Sequence, residues 1–458
     1  MPPVTRREFL AAAAVAAAVH AAPAAGPRLT AAPFSEEVTP PIGHPCMGGG
    51  VAPVKEIVDP LYATGFVLQG AGDPIVVVGV DWCEIRNEAY DRWRDVIATA
   101  VGTKRERVLV SCLHQHDAPV ADLTAQRLLD DAKAKGAVCM PDFHEKTVRR
   151  VAKAARGAMS KGRRITHVGT GQAKVDRIAS NRRYVDEAGR VQFNRTSATR
   201  DPKIRAAAEG VIDPHLKTLS FWDGDKPVLA LSAYATHPMS FYGKGGASSD
   251  FVGLARKLRQ AEEPRTHQVY VSGCSGNVTA GKYNDGAAEN RLELAKRLHE
   301  AMREAWKNTT TQPLGECAFK TVPLRLPVRS GKGFTEADLT RRLKEDPKPF
   351  GQCLAALGLS WRKRVEAGEP IGVCTIDFGG PAYLLLPAEA YVEYQLYAQS
   401  TRPKGFVLTA GYGECGPGYI PTEQAWKEND SNLADWCWVD PGCEELMKKA
   451  IADVLKGN

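Results

Sequence analysis

Short apolar runs rich in β-branched residues alternate along the chain with longer stretches whose apolar residues recur every three or four positions. The short runs predict strands, and the longer spacing predicts amphipathic helices. This alternation favours a mixed α/β domain over an all-β or an all-helical one. The predicted strands are residues 75–80, 108–112, 165–175, 216–222, 227–236, 269–272 and 383–386, and the predicted helices are residues 86–100, 143–159, 251–261, 287–306 and 445–455.

Two dipeptides between strand-like runs, Ala188-Gly189 and Asp223-Gly224, predict hairpin turns. No internal repeat is visible in the sequence. The charged segment 330–370 carries helical patterns that interrupt two strand-rich regions. We therefore expect this segment to be an inserted lid or subdomain.

The first 26 residues differ from the rest of the chain. Arg6 and Arg7 are followed by an alanine-rich apolar run that is too short to span a bilayer and ends in small residues. This pattern is typical of a twin-arginine (Tat) export signal. We expect the signal to be removed and the mature chain to be periplasmic or secreted.

The composition is that of a globular protein, with 25% charged and 43% hydrophobic residues. The formal net charge is +7, but the basic residues are scattered among acidic ones, which argues against nucleic-acid binding. No apolar run after the signal is long enough to cross a membrane, so no transmembrane segment is expected in the mature chain. The 11 cysteines never form a C-x-x-C pair, which disfavours a cysteine-based metal site. No pattern predicts an oligomeric state.

The strongest chemical signal is the stretch VLVSCLHQHDAP, residues 108–119, in which a predicted strand leads into His114 and His116. Side chains two residues apart in an extended strand point to the same face, so these imidazoles are expected to project together. Imidazole is the commonest zinc ligand, but an H-x-H pair is a weak signal alone. A metal site needs ligands from elsewhere in the chain.

Several later side chains also follow predicted strands or lie in glycine-rich loops. His237 precedes a proline at a strand end, Glu389 follows a buried run, Tyr419 lies in a glycine-rich loop, and Ser275 and Thr279 lie in a glycine-rich turn. Strand ends that converge on one rim are where α/β enzymes keep their sites. Each residue also has a structural interpretation, as a hydrogen-bonded strand-end histidine, a carboxylate at a helix start or a packed aromatic.

A series of short motifs covers most of residues 37–430. In chain order they are EVTPPIGHPCMGGG, LYATGFVLQ, VVVGVDW, LHQHDAP, SNRRY, YATHPMS, GCSGNVTAG, LLLPAEA and GYIPTEQ. Together they resemble the neutral/alkaline (non-lysosomal) ceramidase family. The resemblance implies mixed β-sheets flanked by helices, with residues 27–458 forming a ceramidase-like catalytic domain.

The resemblance also implies a single Zn²⁺ ion and roles for individual residues. In the family, zinc is held by the first histidine of an H-x-H motif, a strand-end His-Pro, a glutamate and a loop tyrosine. The corresponding ligands here are His114, His237, Glu389 and Tyr419, with His116 as a neighbour of the metal site or an acid/base, Arg182 as a stabiliser of negative charge, and Thr279 in place of the family's serine. A mixed nitrogen and oxygen shell suits zinc, and an open position on the ion would activate water for hydrolysis without a covalent intermediate.

The chain departs from the family pattern in three places. The turn reads Gly276-Asn277-Val278-Thr279 where ceramidases have Gly-Asp-Val-Ser, so the charge and shape of the pocket should differ. Asp117-Ala118 replaces the usual Ser-Gly. We also expect no immunoglobulin-like C-terminal domain of the kind that ceramidases usually carry.

The expected function is hydrolysis of an amide bond in a small-molecule or lipid substrate, either N-acylsphingosine or a related N-acyl compound. One alternative is a zinc esterase or amidohydrolase that acts on a polar glycan or cell-wall conjugate. Another is an inactive exported binding protein of the same fold. An enzyme is favoured, because all four matching ligand positions carry side chains that can bind a metal.

Overall fold

The computed structural model describes residues 29–456, so the predicted twin-arginine signal lies outside the described residues. The strands are β1 (Thr30–Glu37), β2 (Glu56–Ile57), β3 (Tyr62–Gln69), β4 (Ile75–Val80), β5 (Glu84–Ile85), β6 (Val108–Cys112), β7 (Val120–Ala121), β8 (Arg163–Arg164), β9 (His167–Lys174), β10 (Ser180–Asn181), β11 (Tyr184–Val185), β12 (Val191–Gln192), β13 (His215–Asp223), β14 (Lys226–Tyr234), β15 (Gly246–Ala247), β16 (His267–Ser272), β17 (Val278–Thr279), β18 (Thr310–Pro313), β19 (Ala318–Leu324), β20 (Ile371–Asp377), β21 (Ala382–Leu385), β22 (Glu389–Ala390), β23 (Val407–Ala410) and β24 (Tyr419–Ile420).

The helices are α1 (Asn87–Val101), α2 (Leu123–Asp131), α3 (Pro141–Met159), α4 (Pro202–Ala206), α5 (Asp250–Glu262), α6 (Asn290–Lys307), α7 (Glu336–Glu345), α8 (Pro349–Glu366), α9 (Val392–Thr401), α10 (Glu423–Lys427) and α11 (Cys443–Leu455). Within residues 29–456, no helix has the length and apolar character needed to cross a membrane.

Three larger sheets form the framework. The first has the strand order β6-β4-β3-β1-β8, the second β16-β14-β13-β9-β18, and the third β19-β20-β21-β23. Each sheet mixes antiparallel pairs with one parallel pair. The predicted mixed α/β class is therefore confirmed.

The same arrangement recurs in all three sheets. An antiparallel hairpin (β3-β4, β13-β14 or β20-β21) is followed by a helix (α1, α5 or α9) and then by a strand parallel to the hairpin's second strand (β6, β16 or β23). Parallel neighbours require a crossover connection, and the helix provides it. Within each sheet, the carboxyl ends of the two parallel strands consequently lie at the same edge.

Each large sheet places one face in a core common to all three sheets and the other face against helices. On β4, Val77 lies in the common core, whereas Val76 and Val78 pack in the core formed with the outer helices. Helices α5 and α6 cover the outer face of the second sheet in the same way. Because both faces are buried, these strands read as continuous apolar runs rather than as alternating patterns.

The predicted elements are all found, with shifts at their ends. The strands predicted over residues 75–80 and 108–112 coincide with β4 and β6, and the turns at Ala188-Gly189 and Asp223-Gly224 join antiparallel pairs. Segment 330–370 forms α7 and α8, and α8 is buried along most of its length in the core that also contains α1 and α3. A lid role for this segment stays a prediction.

Each large sheet has one strand that follows the crossover helix: β6, β16 and β23, respectively. Hydrogen bonds join the carboxyl ends of these three strands. The Ser272 hydroxyl donates to the Leu113 carbonyl (2.8 Å), and the Gly411 amide donates to the Ser272 carbonyl (2.8 Å). The Cys112 amide donates to the Tyr412 carbonyl (2.9 Å). These bonds satisfy backbone groups that the strand ends would otherwise leave buried and unpaired. The loops that leave the three sheets are therefore held close together.

A buried ion pair links the first sheet to the helix of the second. At the end of β4, Asp81 accepts two hydrogen bonds from Arg256 of α5, at 2.6 and 2.7 Å, and both side chains are buried. We predict that Arg256→Met lowers the free energy of unfolding by about 3–5 kcal/mol, because it leaves an unpaired buried carboxylate. Urea-induced unfolding would measure the loss.

The matched control removes an exposed pair. Arg127 and Glu88 form a salt bridge with both side chains about half exposed, so Arg127→Met should cost at most about 1 kcal/mol. Equal losses in the two variants would contradict the role assigned to the buried pair.

Candidate metal centre

His114 follows the end of β6, in a backbone conformation that is unusual for a side chain with a Cβ. Its φ is 72°, and Ala388 (φ 53°) and Tyr412 (φ 55°) in neighbouring loops are also left-handed. Such residues cost free energy and cluster at functional sites. The expected geometry of two histidines on one strand face is thus wrong. His114 and His116 lie beyond the strand, and the turn brings their rings to 5.3 Å between centroids.

His237 follows β14, and backbone carbonyls of the glycine-rich turn hold its ring. Its Nδ1 donates to the carbonyl oxygen of Ser275 (2.5 Å) and is 3.2 Å from that of Val278. The Nδ1 of His114 is likewise 3.1 Å from the carbonyl oxygen of Cys83. A carbonyl can only accept, so both imidazoles carry hydrogen on Nδ1 and leave the lone pair of Nε2 free.

Glu389 and Tyr419 are adjacent across a short parallel pair. They are direct partners where β22 pairs with β24, so their side chains leave the backbone on the same side. Helix α9 begins only at Val392, so Glu389 is not a residue of the helix start. The turn from β16 approaches closely at Gly276, where a Cβ would collide with the Glu389 carbonyl oxygen.

The two histidines and Glu389 meet in a fully buried cluster. Glu389 Oε2 lies 3.1 Å from His114 Nε2 and 3.0 Å from His237 Nε2. Among the described residues, His114 Nε2 has no aligned hydrogen-bond partner. Two nitrogen lone pairs therefore face one anionic oxygen, an arrangement that requires a positive charge between them. Two imidazoles and a carboxylate are a ligand set that suits zinc, so the residues fit the ion.

Burial and charge set the protonation of this cluster. Burial, supported by the nearby Arg182, lowers the pKa of His237 to about 4. Burial acts against ionisation of Glu389, but the two imidazoles outweigh it and hold the pKa of Glu389 well below its ordinary value. Burial also acts to lower the pKa of His114, but the Glu389 charge outweighs it and raises that pKa.

Tyr419 reaches the cluster together with Arg182. The Arg182 Nη1 donates to the Tyr419 hydroxyl at 2.7 Å, and the guanidinium lies 5.3 Å from the ring centroid. Burial raises the pKa of Tyr419, and the Arg182 charge opposes that effect without cancelling it. A cation beside the phenol would lower its pKa further, which is what a phenolate ligand needs. Arg182 therefore lies beside Tyr419, and its role as a stabiliser of negative charge stays a prediction.

His116 is the second imidazole of the H-x-H pair and lies beside the cluster. Its ring centroid is 6.2 Å from that of His237, and its exposed fraction is 8%. Its Nδ1 has no hydrogen-bond partner among the described residues. Burial, supported by the neighbouring His114 and His237, holds the pKa of His116 well below its ordinary value, which favours the neutral form of the ring.

Thr279 is not joined to the histidines by any hydrogen bond of the described residues. Its hydroxyl donates to the Thr196 carbonyl (2.8 Å) and accepts from the Gly281 amide (3.1 Å). These bonds indicate that Thr279 stabilises the turn. A catalytic role for Thr279 stays a prediction. Ser275 contacts the site at two points: its hydroxyl is 2.7 Å from the Tyr412 hydroxyl, and its carbonyl oxygen accepts from His237 Nδ1.

The sequence interpretation missed four residues around the cluster. Tyr412 stacks on His114 with 4.4 Å between centroids, and Cys83 Sγ lies 3.9 Å from His114 Nδ1. Behind them, Glu84 Oε1 is 3.8 Å from the same nitrogen, and Arg86 neutralises this carboxylate at 2.6 Å. Two features of the sequence could have indicated these residues. Tyr412 is a second tyrosine in the glycine-rich loop that carries Tyr419, and the charged residues Glu84 and Arg86 follow shortly after the VVVGVDW run.

Solved ceramidases are similar to this chain in structure. A neutral ceramidase from Pseudomonas aeruginosa matches with a TM-score of 0.66 and 16% identity, over 93% of this chain and 74% of that chain. A ceramidase complexed with C2 gives a TM-score of 0.66 and 16% identity, over 93% of this chain and 75% of that chain. By sequence, neither a protein-family model nor a curated protein matches. The chain has the ceramidase-like fold that its motifs predicted.

Proposed function

We propose that this chain is an exported, zinc-dependent hydrolase that cleaves the amide bond of an N-acyl substrate. The observation that carries the proposal is the contact of His114 Nε2 and His237 Nε2 with one carboxylate oxygen of Glu389 in a buried space. The likeness in fold to ceramidases supports the class of reaction. Export is proposed from the twin-arginine pattern at Arg6 and Arg7.

Zinc would be held by His114, His237, Glu389 and Tyr419. When bound, zinc supplies Lewis acidity that polarises a carbonyl and makes water more acidic. The carbonyls of Cys83 and Ser275 keep the two imidazoles in the tautomer that presents Nε2. This second layer of contacts is what keeps the ligand set fixed.

Arg182 and His116 would act on the substrate. Arg182 is buried and charged, and it is positioned by Tyr419 to stabilise negative charge on the oxygen of the scissile carbonyl. The Nδ1 of His116 has no hydrogen-bond partner among the described residues, and His116 would transfer a proton to the departing amine.

The first prediction for this site concerns the metal. We expect one zinc ion per chain, lost in His114→Ala and in His237→Ala, because each removes one ligand from the set. Elemental analysis of dialysed protein would measure the zinc content.

The control for zinc loss is His144→Ala. It removes another fully buried imidazole, which packs against Trp82 and Trp93 rather than in the cluster. Stoichiometric zinc in both ligand variants would rule out the proposed shell.

A second prediction concerns Glu389. Glu389→Gln should lower kcat/KM by at least about 100-fold while unfolding stays cooperative, since changes in the outer contacts of metal sites alone cost about 10–100-fold. Steady-state kinetics and thermal unfolding would test this. Glu393→Gln is the control, because its carboxylate contacts Asn277 and not the histidines. Full activity in Glu389→Gln would refute the ligand role.

A third prediction concerns the acyl group. The Asn277 side chain bonds to Glu393 and to the Val392 amide. The Thr279 hydroxyl bonds to the Thr196 carbonyl and to the Gly281 amide. Neither residue therefore offers the charge or the free serine of the ceramidase motif. We expect weak hydrolysis of long-chain ceramide and at least about tenfold higher kcat/KM for a shorter or more polar acyl conjugate. Efficient cleavage of long-chain ceramide, with no better substrate in a panel of amides, would contradict this expectation.

A further inference from the structure

Arg86, directly before helix α1, is a buried cation close to the candidate metal centre. No hydrogen bond or ion pair of the described residues joins it to the four proposed ligands. Its guanidinium lies 4.6 Å from the ring centroid of Trp438 and 5.6 Å from that of Trp436. Its Nη1 donates to Glu84 Oε2 at 2.6 Å, and its Nη2 donates to the Gly416 carbonyl at 2.8 Å. One rigid, planar group therefore holds two separate segments of the chain in a fixed relation.

The first of these contacts leads to His114. The other oxygen of Glu84, Oε1, lies 3.8 Å from His114 Nδ1 and accepts from the Trp436 indole nitrogen at 3.1 Å. The carbonyl oxygen of Cys83, the preceding residue, lies 3.1 Å from the same histidine nitrogen. Because the two residues are adjacent in the chain, a fixed Glu84 side chain limits the movement of the Cys83 carbonyl. Arg86 therefore holds the segment against which the His114 ring rests.

The second contact leads to Tyr419 and Glu389. Gly416 lies in the glycine-rich loop, three residues before Tyr419. The Tyr419 amide donates to the Trp436 carbonyl at 2.8 Å, and the Gly418 carbonyl accepts from the Glu389 amide at 3.1 Å. The loop that Arg86 holds thus carries one proposed ligand and is hydrogen-bonded to another.

Gly416 is closely surrounded at the point where Arg86 holds it. A Cβ on this residue would lie 2.5 Å from Asn87 Oδ1 and 2.7 Å from the Trp361 ring, so only glycine fits. The Glu414 Oε1 atom accepts from the Asn87 amide at 2.7 Å and from the Gly416 amide at 2.8 Å. Both backbone hydrogen-bonding groups of Gly416 are therefore held by charged side chains.

We infer that Arg86 is a positioning residue of the candidate metal centre, which fixes the Tyr419 phenol relative to the His114 imidazole by holding Glu84 and Gly416 at the same time. A role in stability alone requires only that the buried carboxylate of Glu84 is neutralised, and a lysine ammonium also does that. A positioning role requires the planar fork of arginine, because a single ammonium group lacks its fixed geometry. This inference rests on the proposed function, since it takes Tyr419 as a metal ligand.

The test uses the full chain loaded with Cu²⁺, which binds nitrogen and oxygen ligands more tightly than Zn²⁺ does. A phenolate bound to Cu²⁺ gives a charge-transfer absorption band, so the band reports whether Tyr419 reaches the metal. We expect this band in the wild type and not in Tyr419→Phe. Arg86→Lys should lose most of the band while one copper ion per chain stays bound, because the two histidines and the glutamate remain. Its dissociation constant for zinc should rise by about 10–100-fold, the range found for outer contacts of metal sites.

Two further variants separate positioning from stability. Trp436→Phe removes the indole N–H that donates to Glu84 but keeps an aromatic ring beside the guanidinium, so it should weaken the band and zinc binding by less than Arg86→Lys does. Arg256→Lys is the matched control, because Arg256 is another buried arginine and its two hydrogen bonds go to Asp81. It should unfold at lower urea concentration with an unchanged band and unchanged zinc affinity.

The outcomes distinguish the inference from the proposed function. An unchanged band and unchanged zinc affinity in Trp436→Phe, or in a folded Arg86→Lys, would overturn the inference. Equal changes in Arg256→Lys would also overturn it, because general destabilisation would then explain them. A wild-type copper protein without the band, or a band kept in Tyr419→Phe, would instead remove Tyr419 from the proposed zinc shell, and the inference with it.

Discussion

Two imidazole nitrogens and one carboxylate oxygen face one another in the interior of this protein, and most features of the candidate site depend on that contact. Backbone carbonyls occupy the Nδ1 atoms of His114 and His237, so Nε2 of each ring presents a lone pair to Glu389. Lone pairs and an anion repel in a medium of low dielectric. The cluster is stable only when a cation lies among the three groups, and a proton or a metal ion can fill that need.

The fold brings these groups together by repeating one arrangement in three sheets. His114 follows the crossover strand of the first sheet, His237 follows the second hairpin strand of the second sheet, and Glu389 follows the corresponding strand of the third. Hydrogen bonds between the ends of β6, β16 and β23 fix the distances among these loops. The loops at His114 and Tyr412 turn toward the centre through left-handed backbone conformations. Each such conformation costs of order 1–3 kcal/mol.

Part of this could be predicted from the sequence. Strands such as β4 and β6 are buried on both faces, so their continuous apolar runs could be recognised in the sequence. Helix α3 has one apolar face, so its three-to-four spacing could be recognised as well. Helix α8 was not delimited, because a helix buried on most sides loses the polar face that gives periodicity. The motif residues His114, His237 and Glu389 do converge. Tyr412 and Cys83 were missed because turns, whose direction the sequence does not reveal, place them beside the cluster.

The candidate metal cluster and the segment beside it, residues 240–245, differ in how freely they can change. His114, His237 and Glu389 are each held by buried contacts, so a substitution there disturbs the charge balance of the whole cluster. Segment 240–245 is anchored through Asp117, Arg291 and Asn284, and no hydrogen bond of the described residues joins these anchors to Glu389 or to the two imidazoles. The departures from the ceramidase pattern at Asp117 and in the turn that carries Thr279 therefore lie around the cluster and leave its three groups unchanged.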